Sequence, residues 1–146
     1  MRFEERAFEA LSPQALYDVL ALRQRVFVIE QRCFYEDADG KDPSALHVLG
    51  RQGARLVAYA RILPEGARFA ERSIGRVVVV PEARGRGIAR ALMERAIASI
   101  REAYGEVPIA LAAQSHLQAF YGSVGFERRG AEYDEDGIPH VDMRRR

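Results

Sequence analysis

Cysteine is nearly missing from this chain of 146 residues: Cys33 stands alone. No internal disulfide framework can form, and with no apolar leader segment at the N-terminus this cysteine usage points to a reducing cytoplasm. Long apolar runs are missing too; no stretch of about 18 apolar residues occurs, which excludes a membrane-spanning helix. Neither sign of charge is in excess. Lys plus Arg number 22 against 21 Asp plus Glu, a net charge of +1, so no global field draws the chain to nucleic acid or to an anionic membrane. Lysine is reduced to Lys41, and the preponderance of arginine most simply reflects codon composition. Zinc-type clusters are absent. Asp37-Ala38-Asp39-Gly40 fails as a calcium loop because its glycine comes two positions early and position twelve is Val48. Repeats and linkers are also lacking, and 48% hydrophobic with 29% charged residues suits one soluble globular domain over 1–146.

What is present alternates strands with helices. Residues 2–8 have strand content, and Ser12-Pro13 opens a helix whose Leu16, Val19, Leu20 and Phe27 recur at helical spacing to about Ile29. Asp18, Arg23 and Arg25 fall to its other faces. A polar stretch over 30–45 follows as a long ordered loop. A hairpin is predicted over 45–51 and 56–63, turning at Gln52-Gly53-Ala54, then a strand over 73–80 whose four valines imply burial on both faces. The strongest helix carries Ile88, Leu92, Met93, Ala96, Ile97, Ile100 and Tyr104 on one stripe. Beyond it come a strand over 107–112, a capping-box pattern at Ser115 to Gln118 opening a helix to Ser123, and a terminal hairpin over 126–134 and 138–144. The fold class is α/β (α+β), with a mixed sheet.

Chemistry concentrates where the valine strand turns through Gly85 and Gly87 into a helix start. Unpaired backbone N–H groups, the helix dipole and glycines that let a ligand approach main chain together suit a phosphate or diphosphate. Ile88-Ala89 stands where a Walker loop needs Lys and Ser or Thr, and no dinucleotide fingerprint is complete. A glycine turn before a helix is also an ordinary structural device, so this feature alone leaves the ligand open.

Arg84-Gly85-Arg86-Gly87-Ile88-Ala89 resembles the acetyl-CoA signature of the GNAT N-acetyltransferase superfamily, with Arg84, Gly87 and Ala89 in its fixed places. Phe120-Tyr121-Gly122-Ser123-Val124-Gly125-Phe126 is similar to that family's late FYxxxGF segment, in the right order. The segments VFVIEQRCFYEDADG, HVLG, AYARIL, GRVVV, AQSHLQAFYGSVGF and DGIPHVDM resemble the ElaA-like group of the superfamily along nearly the whole chain.

This resemblance implies a GNAT fold, a mixed and splayed sheet with helices on both faces, and transfer of an acetyl group from acetyl-CoA directly to an amine, with no acyl-enzyme and no metal. It implies that main chain at Val78 and Val80 pairs with the pantetheine arm, while Arg84, Gly85, Arg86, Gly87, Ile88 and Ala89 form the diphosphate loop. It makes Tyr121 the acid for the departing thiolate; from the residues alone, packing in the core is the competing reading. For the base that deprotonates the acceptor, Glu30, His47, His116 and His140 are candidates, and spacing does not choose among them. Glu30 and Gln31 close the first helix and either orient substrate or cap the helix end. His116 and His140 are assigned to the acceptor side, and Glu30, Asp37 and Asp39 are expected to attract a cationic acceptor. A catalytically silent CoA-binding module, or a binding domain for another phosphate ligand, remains the alternative. The acceptor and the oligomeric state, a homodimer included, stay open.

Overall fold

The computed structural model describes residues 1–146. Strand β1 (Arg2–Ala7) leads to helix α1 (Pro13–Arg23), where Ser12 Oγ accepts from Ala15 N–H at 3.0 Å and Pro13 takes the first helical position. The helix predicted to reach Ile29 does not continue as α. It widens into a π-helical segment, Gln24–Glu30. Such widening is common at functional sites. Here it brings Val26, Phe27 and Glu30 to the wall of the central cavity.

Strands β2 (Leu46–Gln52) and β3 (Arg55–Leu63) form the expected hairpin, followed by β4 (Arg72–Val79). Helix α2 (Ile88–Tyr104) buries Ile88, Leu92, Met93, Ala96, Ile97 and Ile100 as its periodicity predicts. Tyr104 is the exception: it is exposed, with the Arg72 guanidinium 3.4 Å from its ring centroid. Strand β5 (Ile109–Gln114) precedes the short α3 (Gln118–Gly122). The Ser115 capping box does not form. Gln118 Nε2 donates to the Ser115 carbonyl while Ser115 Oγ is buried without a partner. The strand expected over 126–134 divides into β6 (Glu127–Arg128) and β7 (Tyr133–Glu135), both pairing with β8 (Ile138–Arg145).

The sheet runs β1-β2-β3-β4-β5-β8-β6, with β7 also beside β8. Every pairing is antiparallel except β4 with β5. Opposed residues share a face, so Glu5, Val48 and Ala60 lie on one side and Arg6, His47 and Arg61 on the other. Arg95 and Ser99 of α2 bond Glu5, whereas Arg23 of α1 packs over the ring of Tyr59, two residues from Arg61. The two long helices therefore cover opposite faces, and one apolar cluster fills the space on both.

The site is made by a break in this sheet. Strands β4 and β5 pair only through Arg72 with Ile109 and Ser73 with Ala110, then part. The cause lies in β4: its register with β3 shifts between Tyr59 and Arg61, and Arg76 at the shift has φ +51. A bulge of this kind bends its strand and increases local twist.

Candidate functional site

The parted strands open a cavity of about 740 Å³, whose wall runs from the π-helical segment across β4 and β5 to the β7–β8 turn. That volume lies within the range of about 300–1,000 Å³ usual for small-molecule sites. Tyr121, Val78, Arg84, Ala89, Glu30, Gln31, His116 and His140 all line it, although they are scattered across the sequence.

At one end lies the start of α2. Gly85 and Gly87 have φ +78 and +76, a left-handed conformation that glycine adopts without strain, and a Cβ at either would meet nothing within 4 Å. Gly87 caps the helix without a side chain, and the first intrahelical bond runs from Ala91 N–H to Gly87 O. The N–H groups of Ile88, Ala89 and Arg90 consequently have no partner within the helix. The Ile88 side chain is buried in the core, so this residue offers only main chain. Arg84 forks onto Glu30 at 2.7 and 3.1 Å, and its Nε donates to Val79 O at 3.0 Å. This ties the loop to the end of the first helix and leaves the amides at the start of α2 as the unpaired donors there.

The strand edge requires a correction. Val80 N–H already donates to Val57 O at 2.9 Å, and antiparallel alternation turns the amide of Val78 toward β3 as well. The main chain of Val77 and Val79 is what faces the opening. The register shift at Arg76, invisible in four successive valines, decides which pair does so.

Tyr121 sits on α3 with its ring edge-on to Phe120 at 5.0 Å and to Phe126 at 6.3 Å. It is both a packed ring and a cavity residue, so the two readings of it are not exclusive. Desolvation alone pushes its phenol up to about 12, with no hydrogen bond contributing. The hydroxyl is therefore protonated at neutral pH and free to donate.

The opposite end holds the largest departures from expectation. Arg23, assigned to a polar face, is wholly buried. Its Nε donates to Asp37 at 2.8 Å and its Nη1 to Asp42 at 2.7 Å. Arg61 forks onto Asp39 at 2.8 Å and reaches Asp42 at 3.0 Å, and Arg76 reaches Asp37 at 2.7 Å. Three arginines from α1, β3 and β4 thus clamp three aspartates of the 30–45 loop. Burial would raise the carboxyls of Asp39 and Asp42, but hydrogen bonds from Arg61 and Arg23 hold both below the usual range. Asp37 and Asp39 are neutralised in place and Glu30 is paired with Arg84, so none of them is a free attractor for a cation. Glu36 and Asp136, which the sequence reading passed over, line the same cavity and take part in none of these bridges. A signal for the clamp did exist: Arg61 interrupts the apolar run Leu56 to Leu63, and Arg23 shares the helical stripe of Val19, Leu22 and Val26.

The histidines separate cleanly. His47 is sealed, with Nδ1 2.6 Å from the Tyr59 hydroxyl and Nε2 3.0 Å from Asp42 O, and its burial holds its pKa below the ordinary value. It lies off the cavity and is removed as a candidate base. His116 is exposed at the rim. His140 is 9% exposed, with Nδ1 2.7 Å from Ile138 O. Cys33 donates weakly to Asp136 O at 3.5 Å; burial, then the Asp136 charge, pushes its thiol up, which suits an inert group.

A splayed mixed sheet, a glycine turn into a helix and a tyrosine across the gap define an acyl-CoA transferase fold, and comparison with known proteins agrees. The family model described as an acetyltransferase (GNAT) domain matches residues 8–146, and the chain belongs to this family. Within it the chain groups with ElaA: it is 43% identical to Protein ElaA of Escherichia coli over 137 residues, covering 92% of this chain and 90% of that one. The crystal structure of Escherichia coli ElaA superposes with a TM-score of 0.94, covering 99% of each chain. An acyl-CoA N-acyltransferase from Pseudomonas aeruginosa, 38% identical, gives the same TM-score of 0.94 over 100% of both chains. An aminoglycoside 6'-N-acetyltransferase complexed with coenzyme A shares the fold at a TM-score of 0.76 and 15% identity, covering 99% of this chain and 96% of that one.

Proposed function

We propose that this protein transfers an acetyl group from acetyl-CoA directly to a primary amine, both ligands bound together in the cavity. The observation that carries this reading is the opening between β4 and β5, with unpaired helix amides at one end and the Tyr121 hydroxyl on its wall. Bound acetyl-CoA would supply an activated acyl carbon and a thiolate leaving group. The amides of Ile88 and Ala89, helped by the dipole of α2, hold the diphosphate. Main chain at Val77 and Val79 orients the arm as an added strand would. Tyr121 donates to sulfur as negative charge develops there. A phenol raised to about 12 holds its proton against a thiol of ordinary pKa about 8.5, so its contribution is a hydrogen bond strengthening in the transition state.

Cys33 does not act as a nucleophile, because its thiol faces carbonyl oxygens and is raised by burial. This supports direct transfer. On the acceptor side Glu36 and Asp136 favour a cationic amine approaching the mouth. The test is a panel of amines with acetyl-CoA, reading free thiol against a control without amine. Amine-dependent thiol release is expected; tight CoA binding with no release from any amine would instead identify a silent CoA-binding module.

A further inference from the structure

We infer that His140 is the base that takes the proton from the acceptor ammonium, and that Glu135 holds the imidazolium so formed. This rests on the reading that the cavity acetylates an amine.

One contact sets the tautomer of the neutral ring. A carbonyl oxygen can only accept, so the 2.7 Å contact of His140 Nδ1 with Ile138 O requires the proton of the neutral ring to sit on Nδ1. Nε2 then carries the lone pair. The ring is nine-tenths buried and lines the cavity, yet Nε2 makes no hydrogen bond in the resting site; its nearest acidic neighbour is Glu135, at 3.4 Å. A carboxylate beside a bare nitrogen gains little until that nitrogen is protonated, and then it forms an ion pair. Tyr133 stacks on the ring at 6.1 Å, and its hydroxyl donates to Asp142 at 2.6 Å, which fixes the ring plane.

The charged neighbours are consistent with one proton being received. Glu135 on β7 also accepts from Arg68 at 2.9 Å, which holds its carboxylate in place, and Gln114 opposite on β5 is neutral. The other candidates are worse placed. Glu30 is forked onto Arg84, His47 is sealed off, and His116 is exposed with no hydrogen bond to set its tautomer. Nitrogen loses two protons in all: the first passes from the ammonium to Nε2 and on to solvent, freeing the lone pair for attack. The second leaves the new amide nitrogen and ends on sulfur after the carbon–sulfur bond breaks.

Two measurements test this. Nitrogen-15 NMR of the free protein should show neutral His140 protonated on Nδ1; the Nε2–H tautomer would overturn the inference without reference to activity. In turnover, His140→Gln should lower kcat/KM by about 10²-fold or more near neutrality, the loss shrinking as pH approaches the acceptor's own pKa and bulk water supplies free amine. Glu135→Gln should lower kcat while leaving the acceptor KM little changed, since the imidazolium loses its counter-charge and the ring keeps its place. If the wild type acetylates amines and His140→Gln keeps its rate, the inference fails while the proposed function stands. If the wild type acetylates none, both fail together.

Discussion

Arg76 Nε donates to Asp37 Oδ1 at 2.7 Å, and Arg76 is also the residue whose φ of +51 marks the register shift in β4. A single side chain thus links the bend that opens the sheet to the loop that walls the opening. The loop is long and polar, but it is held by ion pairs between groups that are largely out of water.

Removing one partner of a buried pair strands the other's charge, a change typically costing about 3–5 kcal/mol. Asp42 sits between Arg23 at 2.7 Å and Arg61 at 3.0 Å. Asp42→Asn is therefore expected to destabilise the fold by about that amount, with an unchanged urea m-value. An effect within the range of a surface substitution would show that the clamp is not needed for folding.

The same groups set the response to acid. His47 is held neutral by burial, with its folded pKa below the unfolded one, so the unfolded chain takes up this proton first and stability falls as pH drops below about 6.5. Asp39 and Asp42 have depressed pKa values. Their contribution is complete above the unfolded carboxyl value of about 4 and is lost as pH falls through the folded values. Melting curves against pH should show two declines, and His47→Gln should flatten the first. A single decline below pH of about 4 in the wild type would count against the role given to His47.

At the start of α2, charge and backbone strain can be separated. Gly87→Ala keeps the site uncharged, and its penalty is the left-handed φ of +76, about 1–2 kcal/mol. Gly87→Glu adds a negative charge where the diphosphate is proposed to lie. Calorimetry with CoA should give a far larger loss of affinity for Glu than for Ala, at similar melting temperatures. Equal affinities would move the anion site elsewhere.

Tyr121→Phe removes a hydroxyl that takes part in no hydrogen bond and keeps the ring against Phe120 and Phe126. The melting temperature should barely move. Loss of the donor to sulfur should lower kcat by about 10²- to 10³-fold, with kcat/KM falling equally and CoA affinity held within a few-fold. Wild-type turnover with chemistry rate-limiting would assign the leaving group to water.

Local information in the chain determined a good deal. Ser12 and Pro13 start α1, the stripe from Ile88 to Ile100 buries one face of α2, and Gly85 and Gly87 mark the turn between β4 and α2, because caps, periodicity and left-handed backbone are properties of adjacent residues. The two motifs around Arg84 and Tyr121 were legible through their resemblance to short segments of the family, each a run of adjacent residues. Only the tertiary structure decided the rest. Which valines face the gap depends on a register shift against β3, and whether Asp37 and Asp39 are free depends on arginines 14 to 39 residues away in sequence. His140 acquires its tautomer from a neighbouring carbonyl but its counter-charge from across a hairpin. Pairing of charges and alignment of strands are energies between distant segments, and they exist only once the chain has brought those segments together.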